Sequence, residues 1–340
     1  MGIDSMKKVG RQSVIFDNVY VKSRAVYVGP KEYAGPLGKY FDGYFQDLYC
    51  DSKTWEKAEM NLYKCALEKA IEKAGLVETE VDYIIGGDLS NQIIIGSYVA
   101  RNYNIPMLGV FSACATSMQG IILGGMIVDG GFGKNCLCMT SSHNATAEKQ
   151  FRYPTEYGGK KPETATLTVT GSGAILLTSE PTSIQITRAT VGKVFDPEYD
   201  DPLDLGRAMA PSAYLTIKQH FQDFDTTMDE YDLIITGDLS YYGREMLISM
   251  FKDDGIAISK KHYDCGLLIY DRESQDVHAG GSGCACCAAV TYSYLLKLLE
   301  EGRYNKILVV ATGALHNPII SAQNETIPGI SHAVVFERRK

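Results

Sequence analysis

Residues 82–92, DYIIGGDLSNQ, return as residues 232–242, DLIITGDLSYY, with seven of eleven positions identical. Two further echoes follow in the same order. SACATS at residues 112–117 leads through an uncharged run to the turn GGFGKN and the strand-like CLCMTS. SGCACC at residues 282–287 leads through a second such run to EGRYNK and ILVVAT. GSGAILLTSE (171–180) and ISHAVVFERR (330–339) close the series. Ordered repeats of this kind constrain a chain to one unit built twice. The expected division is two homologous halves, residues 1–180 and 181–340. Within each, strand-like and helix-like segments alternate, which predicts βαβ units, an α/β fold and mostly parallel buried sheets.

Helical periodicity supports this layering. In KTWEKAEMNLYKCALEKAIEKAG, residues Trp55, Leu62, Ala66, Ile71 and Ala74 recur near helical spacing, Lys and Glu fill the other face, and Gly75 ends the run. This predicts an outer, half-exposed helix. The runs after Cys114 and Cys284 are small or apolar nearly all round and are expected between layers. Residues 102–128 carry no Asp, Glu, Lys or Arg, yet Pro106, Ser112, Thr116, Ser117 and Gln119 interrupt them. Buried strand, turn and helix fit better than a membrane span. Residues 143–170 are polar and rich in Gly and Pro. They read as a surface excursion, with a lid over a site as the alternative.

Charge and cysteine usage exclude several classes. A net charge of −8 argues against nucleic acid as the main partner and against simple electrostatic docking to an anionic membrane. The start of the chain lacks the long apolar run of a secretory signal, and MGIDSM is too short a match to carry a myristoylation reading. Nine cysteines without regular spacing fit a reducing compartment rather than a disulfide framework. Cys284, Cys286 and Cys287, and the pair Cys136 and Cys138, lack the paired motifs of a zinc site, so no metal is expected. GGDLSNQ and TGDLSYYG are not nucleotide loops, no EF-hand pattern occurs, and no cofactor is expected.

Cys114 is the residue with the most chemistry to offer. It lies between a β-leaning run and a helix-leaning one, flanked by Ala113 and Ala115. A helix N-terminus favours thiolate and would lower the pKa, making a nucleophile. A buried structural cysteine is the equal alternative.

SACATS, GSGAILLTSE, AGGSG before the second buried run, and the terminal AVVFE resemble the thiolase superfamily. GPKEYAGPLGKYFD, TSSHNATAEKQFRYPTEYGG, TVTGSGA, TIKQHF, CGLLIY, AGGSGCAC and VVATGAL resemble the stage V sporulation protein AD family of spore-forming bacteria. The resemblance covers almost the whole chain. It implies a five-layer αβαβα fold with pseudo-twofold halves, and a homodimer. It also implies binding of dipicolinate (pyridine-2,6-dicarboxylate), with or without calcium. Its partners would be integral membrane proteins of the apparatus that moves dipicolinate into the developing spore, with the chain peripheral to the spore inner membrane.

The superfamily's catalytic set carries over at one position of four. Cys114 matches the nucleophile. Where relatives place Asn or His, this chain has Gly237 or Asp238; an ionised Asp238 cannot donate to an oxyanion, whereas one protonated by burial could, given a strong pKa shift. In VHAGGSG the histidine column falls on Val277, with His278 one residue out of register. Thr312 and Gly313 replace a second cysteine. Condensing chemistry is therefore expected to be lost, leaving a binding pocket. An active acyltransferase or thioesterase using Cys114, and a ligand-free scaffold, are the alternatives. The expected ligand-binding set is Cys114, Asp238, His143, Asn144, Arg152, Gly283, Thr312 and Gly313. Lys149, Tyr153, Lys160 and Lys161 lie beside Arg152 in the polar stretch. Helix starts near Cys114 and Gly283 would offer amide donors to carboxylates.

Overall fold

The structure is a computed structural model that describes residues 7–151 and 160–339. The first half contributes β1 (Tyr20–Val28), α1 (Trp55–Ala74), β2 (Tyr83–Asp88), β3 (Met107–Gly109), α2 (Thr116–Asp129), β4 (Asn135–Ser142), α3 (Asn144–Phe151) and β5 (Gly171–Thr178). The second contributes β6 (Ile184–Thr190), α4 (Leu205–Asp223), β7 (Leu233–Thr236), α5 (Ser240–Asp253), β8 (His262–Asp264), α6 (Cys284–Ala289), β9 (Lys306–Ala314) and β10 (Gly329–Arg338).

The repeats seen in the sequence reappear as strand order. From its outer edge the first half runs β3-β2-β4-β5-β1, and the second runs β8-β7-β9-β10-β6. Each strand thus has its counterpart five places later. The two sets join where β1 meets β6, through the single pairing of Tyr20 with Gln185. The expectation of mostly parallel sheets holds only for the outer three strands of each half. β4 with β5, β5 with β1, β9 with β10, and β10 with β6 are antiparallel. A parallel neighbour needs a crossover back to the starting end, whereas after β9 the chain returns directly as β10.

Helices cover the sheets in the order that their faces dictate. α1 lies against β1, β4 and β5, and α4 against β6, β9 and β10, each as an outer layer. α1 buries Ala58, Leu62, Ala66, Leu67 and Ala70 on one face and ends at Gly75, whose φ of 66° fits the left-handed cap. α2 packs on β2 and β4 and also on β9 and β10, so it occupies the middle of the molecule. α6, with every residue buried, lies against β1, β4 and β5 and continues through a π-wound segment, Val290–Leu295, to Glu300. The largest apolar cluster forms around these two middle helices, with separate clusters under α1 and α4.

The polar stretch 143–170 is not wholly irregular. It includes α3 and a two-residue strand, Leu167–Thr168, that pairs with Gly281–Ser282 just before α6. That pairing carries the stretch from the first half to the cysteine turn of the second.

Candidate functional site: two cysteine turns facing one cleft

The turns before α2 and α6 meet across the pseudo-twofold. The Cys114 sulfur lies 3.9 Å from the Ser282 hydroxyl, and the Cys284 thiol donates to the Ala113 carbonyl at 2.9 Å. Ala113 holds a positive φ of 47°, so the first turn is a tight elbow. β9 closes against it: a Cβ at Gly313 would stand 2.4 Å from the Ser112 carbonyl oxygen. Gly283, at φ 100°, takes a backbone conformation that L side chains rarely adopt. A Cβ there would meet the Ser142 hydroxyl at 2.8 Å.

Asp238 ties the elements together. One carboxylate oxygen accepts from the Ser282 hydroxyl at 2.8 Å and the Gly283 N–H at 2.9 Å, and the other accepts from the Thr312 hydroxyl at 2.7 Å. Its own N–H donates back to Thr312. Burial raises the Asp238 pKa above the ordinary carboxylate range, while Thr312, Ser282 and the Cys114 thiol pull it down. The structure thus brings Cys114, Asp238, Gly283, Thr312 and Gly313 to one place.

The expected fall in the Cys114 pKa is corrected. Burial pushes the thiol well up, and the facing Asp238 carboxylate and Cys284 push it further. The helix argument fails because α2 starts at Thr116, two residues on, and because Cys114 is only 8% exposed. Desolvation and a like charge outweigh the dipole. His332, behind the turn, does not serve the sulfur either. Its Nδ1 accepts from the Gly192 N–H, so the proton sits on Nε2, which faces the Ser112 hydroxyl at 3.2 Å. Burial lowers its pKa to about 4.

Other expected residues lie elsewhere. His143 is buried at the head of α3, where Nδ1 accepts from the Ala145 N–H and Nε2 donates to the Leu48 carbonyl. It packs on Trp55, and burial lowers its pKa. A short, polar side chain at a helix start is taken up by the cap before any ligand. Asn144 follows in the first turn, its N–H on Thr170. Lys149 pairs with Glu56 and Lys161 with Glu148, which removes both from the cleft wall. His278 is partly exposed, 4.0 Å from Asp276. Arg152 and Tyr153 lie outside the described residues.

The cleft above Cys114 is walled by Leu89, Phe111, Ala147, Phe151, Pro202 and Leu205. Ser282, Thr166 and Thr168 are its hydroxyl groups, and His316 stands at its edge against Phe151. It holds about 580 Å³ counting the open mouth, and little of that is free space. It is a narrow slot. Sequence reasoning missed Phe111, Phe151 and His316. His316 directly follows VVATGAL, the string that supplied Thr312 and Gly313, and was within reach of the same argument. No Lys or Arg among the described residues lines the slot.

The model of the family described as Stage V sporulation protein AD (SpoVAD) matches residues 10–337. Stage V sporulation protein AD of Bacillus subtilis (strain 168) is 53% identical over 334 residues, covering 98% of each chain. The chain belongs to the stage V sporulation protein AD family. Among solved structures, cerulenin-bound Xanthomonas campestris OleA superposes with a TM-score of 0.63 at 16% identity, covering 94% of this chain and 97% of that one. The 3-oxoacyl-[acyl-carrier-protein] synthase III of Aquifex aeolicus VF5 does so with 0.58 at 14% identity, covering 94% and 99%. At such identities these neighbours establish the thiolase-like fold of this family member and nothing of its chemistry.

Proposed function

We propose that this sporulation protein binds dipicolinate in the cleft at Cys114 and serves its transfer into the developing spore without acyl transfer. The observation that carries the reading is the company of the thiol. Its neighbours are a serine hydroxyl and a carboxylate that already accepts three hydrogen bonds. A nucleophilic cysteine needs a base or a cation beside it, and an oxyanion needs donors. Here the carboxylate and the Ser282 hydroxyl are hydrogen-bonded to each other and no Lys or Arg among the described residues lines the cleft, while its walls of Phe111, Phe151 and His316 suit a flat aromatic ring. Entry requires those rims to turn outward, since the floor admits only water as it stands.

Charge refines the reading. A bare dianion gains little in a slot lined by no described Lys or Arg, and its desolvation is costly. A one-to-one chelate with calcium is neutral, so the reading favours the ligand with its cation. The same reading makes the protein a homodimer, held at the spore inner membrane by integral partner proteins. No helix among the described residues is long and apolar enough to cross a membrane.

Titration calorimetry tests this. Dipicolinate should bind more tightly with calcium than in chelator, and isophthalate, of the same outline but lacking the ring nitrogen, should bind weakly in both. Absence of heat and of a thermal shift at millimolar dipicolinate, with or without calcium, would refute the reading. A mass adduct on Cys114 after incubation with acyl thioesters would restore the enzyme.

A further inference from the structure

A second hollow shares no lining residue with the cleft. It opens at the seam between the halves and holds about 880 Å³ counting its open mouth. Lys22 and Arg24 from β1, Lys39 from the loop that follows, Lys73 from the last turn of α1, and Lys297 from the end of the α6 continuation all line it. The carboxylates within it are Asp42 and Glu300.

Both carboxylates are already engaged. Glu300 takes the Arg24 guanidinium with two bonds, at 2.6 and 2.9 Å, and Arg24 Nε donates to the Tyr292 carbonyl. Asp42 takes Lys73 at 2.8 Å. Lys22 reaches outward to Glu180, which it shares with Lys134. Lys39 is exposed, lies over the Tyr40 ring and has no ion pair among those of the described residues. Lys297 approaches Glu301 only at 3.9 Å. With Arg24, Lys73 and Lys22 paired, Lys39 and Lys297 leave an excess of positive charge in one concavity, on a chain whose net charge is −8. A concave wall focuses such a field on what sits inside it.

We propose that this hollow is a second ligand site, for a compact multivalent anion of the phosphate class. Ammonium groups on flexible stems converging from several sides suit the tetrahedral face of a phosphate. Arg24, held flat by Glu300, forms the fixed part of the wall, and Lys39 and Lys297 are the arms free to close. The proposal is independent of what the cleft binds.

Inorganic pyrophosphate, followed by calorimetry at low salt, is the first probe. Flotation with phosphatidylglycerol vesicles, against phosphatidylcholine, is the second, because a phosphate can arrive free or on a lipid. The variants are the Lys39→Glu, Lys297→Glu double substitution and Lys149→Glu as a surface control outside the hollow. Binding of either probe by the native chain, reduced at least tenfold in the double variant, unchanged in the control and weakened by salt, is the expected result. Pyrophosphate binding assigns a free anion, and vesicle binding alone assigns a headgroup. Failure of both probes, or equal binding by the folded double variant, overturns the site.

Discussion

The tetrapeptide GDLS occurs in both halves and does different work in each. In the first, Asp88 folds back on its own turn, accepting from the Ser90 and Gly96 N–H groups at 2.9 and 3.0 Å. In the second, that local duty passes to Asp264, which accepts from the N–H groups of Leu239, Ser240 and Gly266 and from the Thr236 hydroxyl. Asp238 is thereby released to reach across to Ser282, Gly283 and Thr312 in front of Cys114. One aspartate braces its own turn, and its counterpart braces the second cysteine turn and β9 beneath the cleft. The strand order is the same in both halves, and a single relieving carboxylate, Asp264, gives the second aspartate a different set of partners.

The largest effect should separate these two aspartates. Asp88→Ala strands two fixed, buried N–H groups and should cost about 2–4 kcal/mol of stability, read from urea unfolding. Asp238→Ala strands one N–H, since the two hydroxyls can rotate, and should cost about 1–2 kcal/mol while changing dipicolinate affinity. Equal losses would end the distinction.

The turns themselves give the next test. Ala113 and Gly283 are equivalent in the repeat, and both have positive φ. Gly283→Ala forces a Cβ onto Ser142 and Thr168 and should destabilise by about 2 kcal/mol. Ala113→Gly relieves strain at the cost of chain entropy and should stay within about 1 kcal/mol of the native chain. A reversed order would show that the two elbows are not equivalent.

Thiol reactivity sharpens the contrast further. With its pKa raised by burial and by Asp238, Cys114 should alkylate slowly near neutral pH and faster as pH rises. Asp238→Asn removes the like charge and should speed alkylation about threefold to tenfold at pH 8, followed by peptide mass spectrometry.

The smallest effect concerns pH. Glu59 lies buried beside Asp88, and burial with that neighbour raises its pKa to about 8. The folded chain therefore holds a proton that the unfolded chain releases near the ordinary glutamate value. Stability should fall as pH rises from about 4.5 to about 8 on this account. Buried His332, lowered to about 4, acts the other way. The unfolded chain binds its proton first, so stability falls as pH drops from about 6.5 towards 4. Asp264, raised to about 7, adds to the first trend, and His220 and His262, both lowered to about 3, add to the second, so Glu59→Gln should flatten the decline chiefly between about pH 7 and 8.

These contrasts also mark what was legible beforehand. The ordered echoes anticipated the two five-strand sets, and Cys114, Asp238, Gly283, Thr312 and Gly313 converge because each ends a strand or begins a turn at equivalent places. Parallel sheets were overstated because a returning strand such as β10 has the same apolar pattern as a crossover strand. The thiol's electrostatics were misjudged because burial and the facing carboxylate come from elements over a hundred residues away. His143 and Lys149 were drawn off by partners, Leu48 and Glu56, that no local pattern ties to them. Phe111 and Phe151 line the cleft without any spacing that marks them.

The most direct test is a crystal of the protein soaked with calcium dipicolinate. The pyridine ring should lie in the slot between Phe111, Phe151 and Ser282, with Cys114 unmodified and Phe151 or His316 turned outward. A ring bound elsewhere with the slot still closed would contradict the proposed function.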